Sequence, residues 1–122
     1  MPKQRLAMGE LEGRVMQALW SAREPLTPGE VHERLSTERR LAYTTVMTIL
    51  TRLWNKGMLE RDRRGRAYAY QPVATRAETT ARRMRDILEA SGDRTEALAS
   101  FLGSISKAER AHLRRLLGRG RA

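Results

Sequence analysis

Four threonines, Thr44, Thr45, Thr48 and Thr51, lie between Tyr43 and Gly57 with no aspartate or glutamate among them. A threonine offers a hydrogen-bonding oxygen beside a methyl group, the pair of features that matches a base edge and the thymine methyl in the major groove of DNA. Short side chains also let a backbone come close to the groove floor. Helix faces that meet only solvent are more often built from Glu, Lys, Gln or Ala, which form helix better. A second concentration is cationic: Arg61, Arg63, Arg64 and Arg66 fill four of six consecutive positions, diluted by Asp62. That pattern suits phosphate oxygens or insertion into a minor groove. Arg39 and Arg40 precede the threonine stretch, while Arg52 and Lys56 lie at its far end, placed for phosphates on either side of one groove. Tyr43 either stacks on sugar, hydrogen-bonds a phosphate or plugs a core.

These side chains need an element to present them, and the apolar spacing specifies a helix. Val46, Ile49, Leu50, Leu53 and Trp54 fall at i, i+3, i+4, i+7 and i+8, a helical stripe that neither face of a strand would reproduce. The spacing predicts a helix over about 44–56, closed by Gly57, despite β-branched residues in its first half. With Val46, Leu50 and Leu53 inward, Thr44, Thr48, Thr51, Arg52 and Asn55 face outward, flanked by Thr45 and Met47.

Upstream, Leu11, Val15, Ala18, Leu19 and Ala22 form the stripe of a helix over 9–23, ended by Glu24-Pro25. The stretch LTPGEV, residues 26–31, starts a helix over about 28–36. Thr27 is the cap, Pro28 the first helical residue, Glu30 the closure of a capping box, and Leu26 and Val31 a hydrophobic staple. Downstream the period changes to that of two strands, Met58–Asp62 and Ala67–Gln71, around RRGR at 63–66, with Gly65 supplying positive φ and Pro72 ending the hairpin. Tyr68 and Tyr70 share a strand face and are expected to pack inward, as are Trp20 and Trp54. Three helices and a hairpin with an arginine-rich tip make a winged helix-turn-helix, a mainly α fold with a small β-hairpin.

Beyond Pro72 the capping boxes Thr75–Glu78 and Ser106–Glu109 start helices over 76–90 and 107–117, and a shorter helix over 95–102 is bounded by Gly92 and Gly103. Ala77, Ala81, Met84 and Leu88 form a narrow seam; Leu98, Phe101, Leu102, Leu113, Leu116 and Leu117 add apolar surface. Fifty residues in three short helices make a poor core of their own, so a second copy of the chain is expected to cover them. Residues 1–73 are therefore expected to be a DNA-binding domain and residues 74–122 a helical dimerisation region, with Met84, Leu88, Phe101, Leu113, Leu116 and Leu117 at the dimer contact. The ARRMR and LRRLLGRGR runs read as solvated helix faces.

Composition bounds the function. The 122 residues carry 24 basic and 14 acidic side chains, net +10, which favours a polyanionic partner. The excess divides evenly, +5 in residues 1–72 and +5 in 73–122, so local clustering carries more meaning than the total. Cysteine is absent, which excludes disulfides and thiolate chemistry. No apolar run of membrane-spanning length occurs and MPKQRLAMGELEGRV lacks the apolar core of a signal peptide, so a cytoplasmic protein without membrane insertion is expected. No Gly-rich phosphate loop, HExxH or nucleophile elbow is present; neither an enzyme nor a cofactor is expected. His32 and His112 are far apart with no companion ligand, so no metal site is expected.

The strings LTPGEVHERL, LAYTTVMTILTRLWNKGML and ERDRRGRAYAYQP resemble the penicillinase-repressor family (BlaI/MecI) from about Leu11 to Leu117. The resemblance implies a homodimeric repressor whose winged helix binds a palindromic double-stranded operator and whose C-terminal helices form the dimer. By matching motif it implies DNA contacts from Tyr43, Thr44, Thr45 and Thr48 and from wing residues Arg63, Arg64 and Arg66. Met47 stands where many members carry lysine, so one phosphate or base contact is expected to be missing and operator preference to differ. Members controlling β-lactam resistance are cut by a membrane sensor-protease just before a phenylalanine, which corresponds here to the bond between Ser100 and Phe101. Serine stands at 100 where asparagine is usual, and a core role for Phe101 is the alternative. A copper-sensing branch uses C-terminal cysteines that this chain lacks. The competing class is a basic module that binds nucleic acid without choosing sequence.

Overall fold

The computed structural model describes residues 8–37 and 40–119. The elements run α1 (Met8–Ala22), α2 (Pro28–Leu35), α3 (Tyr43–Asn55), β1 (Leu59–Arg64), β2 (Ala67–Pro72), α4 (Arg76–Ala90), α5 (Arg94–Ser104) and α6 (Lys107–Arg119). The chain divides into two compact units, Met1–Glu78 and Thr79–Ala122.

One core organises the first unit. Leu11, Val15, Met16 and Leu19 of α1 meet Val31 of α2, Val46, Ile49, Leu50 and Leu53 of α3, and Leu59 and Tyr70 of the hairpin. This burial explains why the β-branched start of α3 is helical: a fully buried Val or Ile gains about 1.5–3 kcal/mol, against a propensity cost of a few tenths of a kcal/mol per residue. Helix α2 begins as its sequence dictates. Thr27 Oγ1 accepts from the Glu30 backbone N–H at 3.3 Å, and the Thr27 N–H donates to Glu30 Oε1 at 2.9 Å. Leu26 and Val31 beneath this cap are both buried.

The strands pair antiparallel, with Arg61 opposite Tyr70 and Arg64 opposite Ala67. β1 extends two residues beyond the expected Asp62, so Arg63 and Arg64 belong to the ladder, and the turn is left to Gly65 at φ 64° and Arg66. Leu26 adds a third pairing that sequence reading did not anticipate, donating to the Tyr70 carbonyl at 2.9 Å and accepting from the Tyr70 N–H at 2.8 Å. A single bridging residue is too short to leave a periodic signal. Gly57, at φ 79°, takes the left-handed conformation that ends α3 and turns the chain into β1.

In the C-terminal helices, α5 runs through Gly103, which therefore does not bound it as expected; Asp93 caps its start by accepting from the Glu96 N–H at 3.1 Å. Its last turn closes on the Ser104 hydroxyl, which donates to the Phe101 carbonyl at 2.7 Å. The Thr75–Glu78 and Ser106–Glu109 boxes are both formed. No residue of α4, α5 or α6 is buried. Ile87 is 71% exposed, Phe101 48% and Leu117 74%.

Candidate nucleic-acid interface

Burying Val46, Ile49, Leu50 and Leu53 turns the opposite side of α3 outward. Thr44, Thr48, Thr51, Arg52 and Asn55 are exposed, Met47 is exposed beside them, and Thr45 is half-buried on the flank. Met47, Thr48, Thr51, Arg52 and Asn55 line one shallow open groove along the helix. The Thr48 hydroxyl donates to the Thr44 carbonyl at 2.9 Å, which fixes its rotamer and leaves its oxygen able to accept. Ala42 at the N-cap gives no side-chain hydrogen bond, and the first turn holds no acid. The positive end of the helix dipole is thus uncompensated by side chains, an arrangement favourable to a phosphate.

Tyr43 opens α3 half-exposed, its ring edge-to-face with His32 at 5.9 Å. His32 Nε2 lies 2.7 Å from the Leu41 carbonyl, tying α2 to the segment that leads into α3. This supporting role for His32 left no sequence signal, because it depends on a backbone carbonyl nine residues away. Among the described residues no set of His, Cys, Asp and Glu side chains is grouped to hold a metal ion.

The cations sort into different environments. Arg63 and Arg66 are exposed at the hairpin tip, with the Arg63 guanidinium 5.5 Å from the Tyr68 ring centre. Arg64 does not simply face outward: its Nη1 donates to Glu30 Oε1 at 3.1 Å and its Nη2 to the Pro25 carbonyl at 2.7 Å, drawing the wing onto the start of α2. Arg61, grouped with the tip in the sequence, is instead half-buried against Trp54, Tyr68 and Tyr70. Lys56 Nζ donates to both oxygens of Glu12, at 2.9 and 3.1 Å, and Arg52 Nε lies 3.8 Å from the same carboxylate. Arg40 is exposed in the α2–α3 link; Arg39 lies outside the described residues.

Two inward assignments are corrected. Tyr70 is buried as expected, yet Tyr68 and Trp54 are 36% and 38% exposed, because Arg61 rather than the core takes their ring faces. Trp20 is half-buried, its indole N–H donating to the Ala74 carbonyl at 3.0 Å. Glu12 was missed as a neighbour of the α3 cations. Its position in α1 shows only a helix-surface acid, since its partners are 44 residues distant in sequence for Lys56.

Among known proteins, the family described as Penicillinase repressor matches residues 8–119. Transcriptional regulator BlaI of Mycobacterium tuberculosis is 47% identical over 113 residues, spanning 90% of this chain and 82% of the relative. Of solved structures, the DNA binding domain of the repressor BlaI aligns with 62% of this chain and 90% of that one, at 28% identity and a TM-score of 0.49. The structure of hsRosR-S4 aligns over 90% of this chain and 94% of that one with a TM-score of 0.52; at 16% identity the likeness is one of fold.

Proposed function

The chain belongs to the penicillinase repressor family, transcriptional regulators and not enzymes, and we propose that it is a sequence-specific DNA-binding repressor acting as a homodimer on a palindromic operator. The observation that carries this reading is the exposed, acid-free threonine face of α3 beside a hairpin whose tip presents Arg63 and Arg66. In the proposed complex α3 lies in the major groove, where Thr44, Thr45 and Thr48 meet base edges and Met47 offers an apolar contact to a thymine methyl. Tyr43, Arg52, Arg63 and Arg66 meet phosphates, and Arg64 holds the wing against α2.

Residues 1–73 form the DNA-binding domain in this reading and residues 74–122 the dimerisation region. The absence of buried residues in α4–α6 supports a second copy as their cover, through Met84, Leu88, Phe101, Leu113, Leu116 and Leu117. In this reading the repressor works in the cytoplasm, where its DNA partner lies. Release by a membrane sensor-protease would sever Ser100–Phe101, a bond inside α5, so scission requires that helix to open locally.

Selection of duplexes from a random pool by the full-length protein tests the reading. Enrichment of a two-fold symmetric sequence, with half-site centres about 10–10.5 base pairs or a multiple apart, and a preference over scrambled duplex of at least about a thousandfold at fixed salt is expected. No enrichment, with equal affinity for every duplex, would establish the non-specific module instead.

A further inference from the structure

Helix α3 and the wing are joined only by Lys56, Gly57 and Met58, and Gly57 sits at φ 79° with no atom within 4 Å of where a Cβ would stand. The Gly57 and Met58 N–H groups donate to the Trp54 and Leu53 carbonyls at 3.0 Å each, and Leu59 and Tyr70 anchor the base of the hairpin in the core. One side chain of the hairpin also reaches across the joint to the last turn of α3. The Arg61 guanidinium carbon lies 3.6 Å from the Trp54 ring centre and 4.0 Å from the Tyr68 ring centre, and Arg61 Nη1 donates to the Tyr70 hydroxyl at 3.2 Å. Trp54 belongs to the last turn of α3, Arg61 to β1 and the two tyrosines to β2. A single planar cation therefore binds three elements together at a place where both stacking rings are more than a third exposed.

We infer that Arg61, beside the core anchors Leu59 and Tyr70 and the Arg64 bridge to α2, sets the angle of the wing against α3 and is a positioning residue for operator binding, acting through Trp54 and Tyr68 and touching no phosphate itself. A guanidinium suits this task because it is flat, permanently charged and stacks on ring faces, none of which a lysine ammonium reproduces in full. With two rings within 4.0 Å and the Tyr70 hydroxyl accepting from its Nη1, the half-buried Arg61 is engaged within the protein, whereas Arg63 and Arg66 are exposed. The wing angle decides whether those tip cations reach the backbone when α3 is seated in its groove, so loosening the stack costs affinity without removing a contact.

The inference rests on the DNA-binding reading for its functional consequence, and its test separates the two. In the full-length protein, Arg61→Lys and Trp54→Ala are each expected to weaken binding to the selected duplex about tenfold, while the slope of log affinity against log salt stays at the wild-type value. The double variant is expected to bind no worse than the weaker single one, as for two members of one contact. Without DNA, Arg61→Lys is expected to shift the Trp54 indole proton resonance and to raise the mobility of the hairpin amides in NMR relaxation. If Arg61→Lys binds as wild type while Arg61→Ala lowers the salt slope by about one, Arg61 is a phosphate contact and the inference falls; additive losses in the double variant, or a free-state spectrum unmoved by Arg61→Lys, overturn it too. Failure of the wild type itself to prefer any duplex would count against the DNA-binding reading, with the free-state spectra still deciding the clamp.

Discussion

What already holds each cation decides what it can give to a nucleic acid. Lys56 and Arg52 share the carboxylate of Glu12, whose side chain is only 12% exposed, Arg64 is bridged to Glu30, and Arg61 lies against the Trp54 and Tyr68 rings. Arg63 and Arg66 stand at the exposed tip. Arg63→Ala or Arg66→Ala should therefore weaken binding to specific and random duplexes alike and reduce the salt slope by about one each, measured by anisotropy titration across a salt series. An unchanged slope would remove the tip from the phosphate backbone. The outward identity of Thr44, Thr48 and Thr51 was legible in the sequence, because the helical stripe of Val46, Leu50 and Leu53 fixes both sides of α3. The fates of Trp54, Tyr68 and Arg61 were not, because each lies on the margin of its own element and is claimed by a partner from another.

At the scale of elements, the start of α2 carries a testable charge. The Thr27 backbone N–H, above all, holds the Glu30 carboxyl below the ordinary carboxylate range; desolvation opposes this, and the Thr27 hydroxyl and the Arg64 guanidinium add smaller lowering contributions. A lowered folded value means that ionised Glu30 contributes stability fully present above the ordinary carboxylate range and lost as pH falls through the lowered one. Thermal unfolding of Glu30→Gln should accordingly show a deficit against wild type at neutral pH that narrows on acidification; a deficit that grows toward acid would contradict this assignment. The three capping boxes were all readable, since each is a local pattern of Ser or Thr and Glu three residues apart. The Leu26 bridge to Tyr70 was hidden by its brevity, and Gly103 misled because its low helix propensity is outweighed by the turn that Ser104 completes.

For the molecule as a whole, the contrast between the units carries the account. Residues before Glu78 enclose a core of twelve buried side chains, whereas α4–α6 bury none and expose Met84, Ile87, Leu98, Phe101, Leu102, Leu116 and Leu117. Exposed apolar surface on that scale marks a surface that associates. Ile87 lay outside the seam read from the sequence, because the alanine-rich spacing around Met84 and Leu88 drew the stripe one position away. If the proposed dimer forms through this surface, Phe101→Asp is expected to give monomers in sedimentation velocity with helicity retained in circular dichroism, and to lower operator affinity steeply, since a monomer would read a single half-site. A dimer that persists would displace Phe101 from the contact.

The central claim is that the threonine face of α3 reads bases. Affinity of Thr45→Ala and Thr48→Ala for the selected duplex and for a scrambled one, at one salt concentration, tests it most directly. A loss of about 1–3 kcal/mol on the selected duplex with little change on the scrambled one is expected; an equal loss on both would contradict base reading by this face.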